Sequence, residues 1–218
     1  MQLQDAIVFI TGANRGLGLA FAQEALRSGA RKVYAGTRQP TGANTHGIVE
    51  VTIDVTDPES VGAAAARCAD TTLVINNAGI AQLHDSVLDV DLVTKSRALF
   101  ETNYYGMIHV SQAFAPVLAA NGGGAFLNVL SDAAWFARPM LAAYSASKSA
   151  AWAFTNALRI DMRAQGTAVL ALHVSFIDTG MTAGFDMQKN SPHDVAQAAL
   201  DGIERHADEV LADDSRLR

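Results

Sequence analysis

Short, nearly continuous apolar runs alternate along this chain with stretches whose apolar positions recur every three or four residues. Ala6–Thr11 (AIVFIT) is the first such run and stops at Gly12. A short run without polar alternation suits a strand buried on both faces. From Gly16 to Ser28, the residues Leu17, Ala20, Phe21, Ala25 and Leu26 fall at helical spacing, and Gly29 stands where a C-terminal cap belongs. The same reading predicts further strands over 32–35, 48–53, 72–76, 125–130, 168–174 and 209–211. It predicts helices over 58–68, 87–100, 106–120, 141–164 and 192–206. Strands alternating with helices predict an α/β domain, 1–218, built on a doubly wound parallel sheet of about seven strands with helices on both faces. Such folds bind ligands at the carboxyl ends of the strands. Functional residues are therefore expected directly after strands.

Composition narrows the class. Half of the 218 residues are hydrophobic and 17% are charged, which gives one sizeable core and excludes disorder. The net charge is −6 with no Lys/Arg run, so no nucleic-acid partner is expected. Cys68 stands alone, so no intrachain disulfide can form. The His residues form no HxH or HxxxH pair, and no metal is expected. The N-terminus lacks a signal-peptide pattern, and no apolar run approaches the roughly 20 residues of a membrane span. A cytoplasmic protein without a membrane partner is the expectation.

The first strand runs into Thr11-Gly12-Ala13-Asn14-Arg15-Gly16-Leu17-Gly18. Gly12 permits a tight turn, Gly16 lets a ligand approach the backbone, and Gly18 lets helix and sheet pack closely. A helix opening at that point presents free N–H groups to an anion such as a pyrophosphate.

This turn resembles the cofactor-binding turn of the short-chain dehydrogenases/reductases, and other family features follow in order. Asp54-Val55 ends the third strand, where the family's Asp contacts the adenine. Asn76-Asn77-Ala78-Gly79 matches its NNAG. Asn103 matches its helix Asn. Tyr144 and Lys148 form Y-x-x-x-K, with Ser131 thirteen residues upstream of the Tyr. The resemblance extends to about residue 212 and implies a Rossmann fold and a nicotinamide cofactor. It implies cofactor contacts from Gly12, Asn14, Arg15, Gly16, Leu17, Gly18, Thr37, Arg38, Asp54, Val55, Asn77, Ala78, Gly79, Tyr144, Lys148, Ile177 and Thr179.

Residues four apart share a helix face, so Tyr144 and Lys148 can act together. A free Tyr ionises near pH 10 and must exchange a proton near neutrality; a lysine ammonium or the charge of an oxidised nicotinamide would stabilise its phenolate. By resemblance, Tyr144 protonates the developing alkoxide, Lys148 also holds the nicotinamide ribose, Ser131 orients the substrate oxygen, and Asn103 fixes a water in the proton path.

The second strand ends Ala35-Gly36-Thr37-Arg38, with Thr37 where NAD-type relatives usually carry Asp. Arg38 and Arg15 can flank a phosphate. NADP(H) is expected to be preferred, with NAD(H) possible. Val174-Ser175 replaces the Pro-Gly often found after the sixth strand, and only about ten residues, 182–191, precede the last helix. That short segment predicts an open pocket for a small-molecule carbonyl or alcohol substrate. Candidates for its lining are Ala133, Ala134, Trp135, Phe136, Met140 and Phe185; Trp135 and Phe136 either border the substrate or serve as core or interface aromatics, and Met181, Met187 and Phe185 either form an apolar flap or pack on the last helix. A non-catalytic cofactor-binding regulator of the same fold is the alternative. By resemblance, the helices over about 85–120 and 141–164 would pair into a homodimer or homotetramer; the Ala-rich face of the second permits close helix approach or packing on its own sheet.

Overall fold

The computed structural model describes residues 1–42, 46–136 and 138–212; the rest of the expected domain lies outside the described residues. Seven strands form one sheet: β1 (Ile7–Thr11), β2 (Lys32–Thr37), β3 (Ile48–Thr52), β4 (Leu73–Asn76), β5 (Gly124–Val129), β6 (Thr167–His173) and β7 (Glu209–Leu211). Their order is β3-β2-β1-β4-β5-β6-β7. Every pairing is parallel.

Helices α1 (Gly16–Arg27), α2 (Pro58–Arg67), α3 (Leu92–Phe100), α4 (Gly106–Ala120), α5 (Ala142–Asp161) and α6 (Pro192–Glu204) cover the sheet. Alternate strand residues feed two cores. Val8, Ile10, Leu73 and Ile75 pack with Phe21 of α1 and Leu200 of α6. Ile7, Phe9 and Val74 pack with Val61 of α2, Phe114 of α4 and Leu158 of α5. The second core also holds a polar rung. Asn76 of β4 and Asn128 of β5 are register partners. Asn76 Nδ2 donates to Asn128 Oδ1 at 2.8 Å, and Asn128 Nδ2 donates to Thr155 Oγ1 of α5 at 3.0 Å.

The predicted helix over 87–100 begins only at Leu92, because Ser86–Asp91 is taken up by turns closed on Asp89. It then runs without a break into α4 through a π-helical turn, Glu101–Tyr105. The strand order reverses direction between β1 and β4, opening a crevice at their carboxyl ends. Among the described residues, no helix is long and apolar enough to cross a membrane.

Candidate active site

The glycine turn joins β1 to α1 at this crevice. Gly12 and Gly16 adopt φ of 67° and 55°, in the left-handed region that favours glycine. A Cβ on Gly18 would collide with the main-chain oxygen of Gly12. The turn is fastened to the end of β4. Thr11 Oγ1 accepts from the N–H groups of Asn77 (3.0 Å) and Ala78 (2.9 Å), and Asn77 Nδ2 donates to the oxygens of Thr11 (2.9 Å) and Gly12 (3.1 Å). Leu17 is buried beneath, while Asn14 and Arg15 are exposed above. The start of α1 has no capping side chain and no acidic residue in its first turn. Uncapped N–H groups, a left-handed glycine and an exposed arginine fit the pyrophosphate of a dinucleotide. Thr179 closes over the same turn: a Cβ on Gly16 would sit 3.2 Å from its methyl group. Ile177 is buried beside it, its carbonyl accepting from the Thr182 hydroxyl.

On the flank toward β3, Thr37 is buried at the end of β2 and Arg38 is exposed beside it. Thr56 donates its N–H (3.0 Å) and hydroxyl (2.8 Å) to Asp54 Oδ1. These bonds, with a smaller contribution from the Arg38 charge, hold the Asp54 carboxyl below the usual range. Val55 packs on the start of α4, where a Cβ on Gly106 would come within 2.8 Å of it.

Ser131 follows β5. Its Oγ accepts from the N–H of Ala133 at 3.1 Å and donates to Asp132 Oδ1 at 3.2 Å. Tyr144 and Lys148 project from one face of α5 toward it. Lys148 Nζ donates to the Val129 oxygen at 2.8 Å and lies 5.9 Å from the Tyr144 ring centroid. Burial pushes the Lys148 ammonium down to about 8. Burial also pushes the Tyr144 phenol up to about 12; the Ser131 hydroxyl and Arg138 pull it back, and Asp132 pushes it further. The chain alone therefore keeps Tyr144 protonated instead of stabilising its phenolate.

Asn103 sits in the π-helical turn and is 1% exposed. Its Oδ1 accepts from the Ile80 N–H at 2.9 Å, and its Nδ2 donates to the Ile80 oxygen and to Ser147 Oγ, both at 3.0 Å. The side chain is thus committed to holding the 79–80 turn beside Lys148. A Cβ on Gly79 would lie 3.3 Å from Asn103 Oδ1 and 3.7 Å from Lys148 Nζ.

A cavity of about 280 Å³ opens beside Tyr144 and Ser131. Of the expected lining residues, Ala133, Phe185 and Met181 reach it; Ala134, Phe136, Met140 and Met187 are not in its wall. Neither is Trp135, which stacks on His173 with centroids 4.0 Å apart and meets Trp152 edge-on at 5.5 Å. Sequence reasoning missed Arg138, which lines the cavity and bridges Asp132 with Nη2–Oδ2 at 2.7 Å. It also missed Thr11 as the fastener of the glycine turn, although its place at the end of β1 was a usable signal.

Residues 6–190 match the family model described as short chain dehydrogenase. Galactitol 2-dehydrogenase (L-tagatose-forming) of Cereibacter sphaeroides is 34% identical over 83% of this chain and 75% of its own. 1-deoxy-11-beta-hydroxypentalenate dehydrogenase of Streptomyces exfoliatus is 33% identical over 92% of this chain and 78% of its own. A short chain dehydrogenase from Burkholderia cenocepacia J2315, solved in complex with NADP, is 39% identical and superposes with a TM-score of 0.91, covering 96% of this chain and 89% of that one.

Proposed function

Because the chain belongs to the short chain dehydrogenase family, we propose that it is an NADP(H)-dependent oxidoreductase interconverting an aldehyde or ketone and an alcohol. The observation that carries this reading is the convergence of Ser131 and Tyr144 on one cavity, with Lys148 behind Tyr144 on the same helix face, next to a glycine turn that fits a pyrophosphate. The nicotinamide supplies or accepts the hydride when bound. Tyr144, protonated through burial, gives its proton to the substrate oxygen as negative charge develops there. Ser131 donates a hydrogen bond to that same oxygen and orients it. Lys148, charged below about pH 8, favours the phenolate left behind and reaches the nicotinamide ribose. Asn103 fixes the turn at Gly79 beside Lys148, where a water would continue the proton path through Lys148.

The preference for NADP(H) is supported by two exposed arginines, Arg38 after β2 and Arg15 in the glycine turn, which could flank a phosphate, and by Thr37 in place of an acidic residue. The NADP complex of the Burkholderia cenocepacia relative agrees with it. NAD(H) remains the weaker ligand in this reading. Assembly as a homodimer or homotetramer through α3, α4 and α5, and a cytoplasmic location, belong to the same proposal. Val93 and Ile160, 63% and 65% exposed on those helices, support the assembly.

The test is fluorescence titration with NADPH and with NADH, followed by initial rates on a panel of aldehydes and ketones. Tighter NADPH binding with turnover is the expected result. Cofactor binding without turnover of any carbonyl compound would turn the reading to a regulatory binder.

A further inference from the structure

The cavity beside Tyr144 is apolar over most of its wall, yet it carries an ion pair whose carboxylate is buried and whose guanidinium is partly exposed. Asp132 is 5% exposed. Arg138 donates to it twice, from Nη2 to Oδ2 at 2.7 Å and from Nη1 to Oδ1 at 3.4 Å. The same Oδ1 accepts the Ser131 hydroxyl at 3.2 Å. The guanidinium lies 5.9 Å from the Phe176 ring centroid, which keeps it over the carboxylate.

A serine hydroxyl has one proton. That of Ser131 goes either to Asp132 or to an oxygen at the reacting end of the cavity. A carboxylate is the stronger acceptor, so an unpaired Asp132 would hold this proton and turn Ser131 away from Tyr144. Arg138 weakens that competition: its two N–H groups draw on the same carboxylate, Nη1 sharing Oδ1 with the Ser131 hydroxyl and Nη2 taking Oδ2.

We propose that Arg138 is a positioning residue which, by sharing the Asp132 carboxylate, loosens its hold on the Ser131 hydroxyl enough for that hydroxyl to turn to the substrate oxygen beside Tyr144. The inference rests on the roles given above to Ser131 and Tyr144. It also makes the pair an electrostatic regulator of the phenol: Asp132 disfavours the phenolate, and Arg138 and the Ser131 hydroxyl favour it. The charged groups facing Tyr144 are Asp132 from the turn after β5, Arg138 from the segment before α5, and Lys148 from α5 itself. Among the described residues, the 175–185 segment and the loop after β4 bring only uncharged side chains to the cavity wall.

The test is an ultraviolet titration of tyrosinate in the cofactor-free protein. The Tyr144 signal is isolated by subtracting the matching Tyr144→Phe protein. Arg138→Gln is expected to move this ionisation to higher pH, and Asp132→Asn to lower pH, each by about one pH unit. The double variant is expected to return near the parent. Thermal unfolding establishes which variants fold; should Arg138→Gln fail, Asp132→Asn and Arg138→Lys carry the comparison, the latter lying near the parent. A titration unmoved by Asp132→Asn would overturn the proposal and leave the pair a structural brace. The titration needs no turnover, so an inactive parent protein would remove the functional reading without deciding this one.

Discussion

The Lys148 ammonium is bound to the main-chain oxygen of Val129 at 2.8 Å, deep enough that burial lowers its ionisation to about 8. In the unfolded chain the same group titrates near 10.4. Below pH 8 both states carry the proton, and the folded state bears the whole cost of burying the charge. Between about pH 8 and 10.4 the folded state binds fewer protons, so stability rises with pH. The Tyr144 phenol, raised to about 12, acts oppositely above pH 10. Lys148→Met is therefore expected to be more stable than the parent at pH 7 by about 1–2 kcal/mol, after loss of one hydrogen bond worth roughly 1 kcal/mol. The gap should close by about pH 10, and turnover should be lost. Urea unfolding across a pH series checks this; a less stable variant at pH 7 would contradict it.

Tyr144→Phe keeps the ring and removes the proton. Carbonyl reduction is expected to fall by about 10²–10⁴-fold in kcat, while NADPH binding by fluorescence stays within a factor of about two. Retained turnover would take the acid–base role away from Tyr144.

Arg38→Asp replaces the cation proposed to meet the adenine-ribose phosphate with an anion that repels it. One charge-assisted hydrogen bond is worth about 1.5–3 kcal/mol, so NADPH affinity should drop about 10- to 100-fold. NADH affinity should hold or improve. Arg15→Ala should weaken NADPH in the same direction. Unchanged selectivity in Arg38→Asp would place the discrimination elsewhere.

Gly18→Ala puts a methyl group against the Gly12 oxygen and the Asn77 amide. Either the helix retreats or the fastening of β1 to β4 opens. Overpacking of this kind costs about 1–3 kcal/mol. Thermal unfolding should show that loss, and NADPH titration a loss of affinity larger than destabilisation explains. A variant with parental stability and affinity would show that the turn has slack.

Much of this was legible in the chain. Gly12, Gly16 and Gly18 stand where backbone geometry leaves no substitute, and Tyr144, Lys148 and Ser131 come together because α5 packs beside β5. Strand runs such as IVFIT and AFLNV are buried on both faces and read as such. The π-helical turn at Glu101–Tyr105 was not legible, since no breaker or break in periodicity marks one extra residue in a turn. The Asp132–Arg138 pair was hidden because two residues six apart outside a regular helix or strand have no spacing rule that brings them together. Trp135 misled for a related reason: a large ring after the catalytic strand can turn either way, and His173 and Trp152 offered it a stack.

The polar rung inside the sheet has a consequence for how the chain finds this arrangement. Apolar strands slide past one another at little penalty, and the alkyl groups of β4 and β5 could meet in several offsets. A slip of one residue would carry Asn128 to the other face, among the side chains of α1 and α6. Its amide would then be buried away from Asn76 and Thr155, at about 1–3 kcal/mol. The amide pair works as a key cut into an oily lock: it adds little to how tightly the sheet holds and much to which single threading the chain accepts.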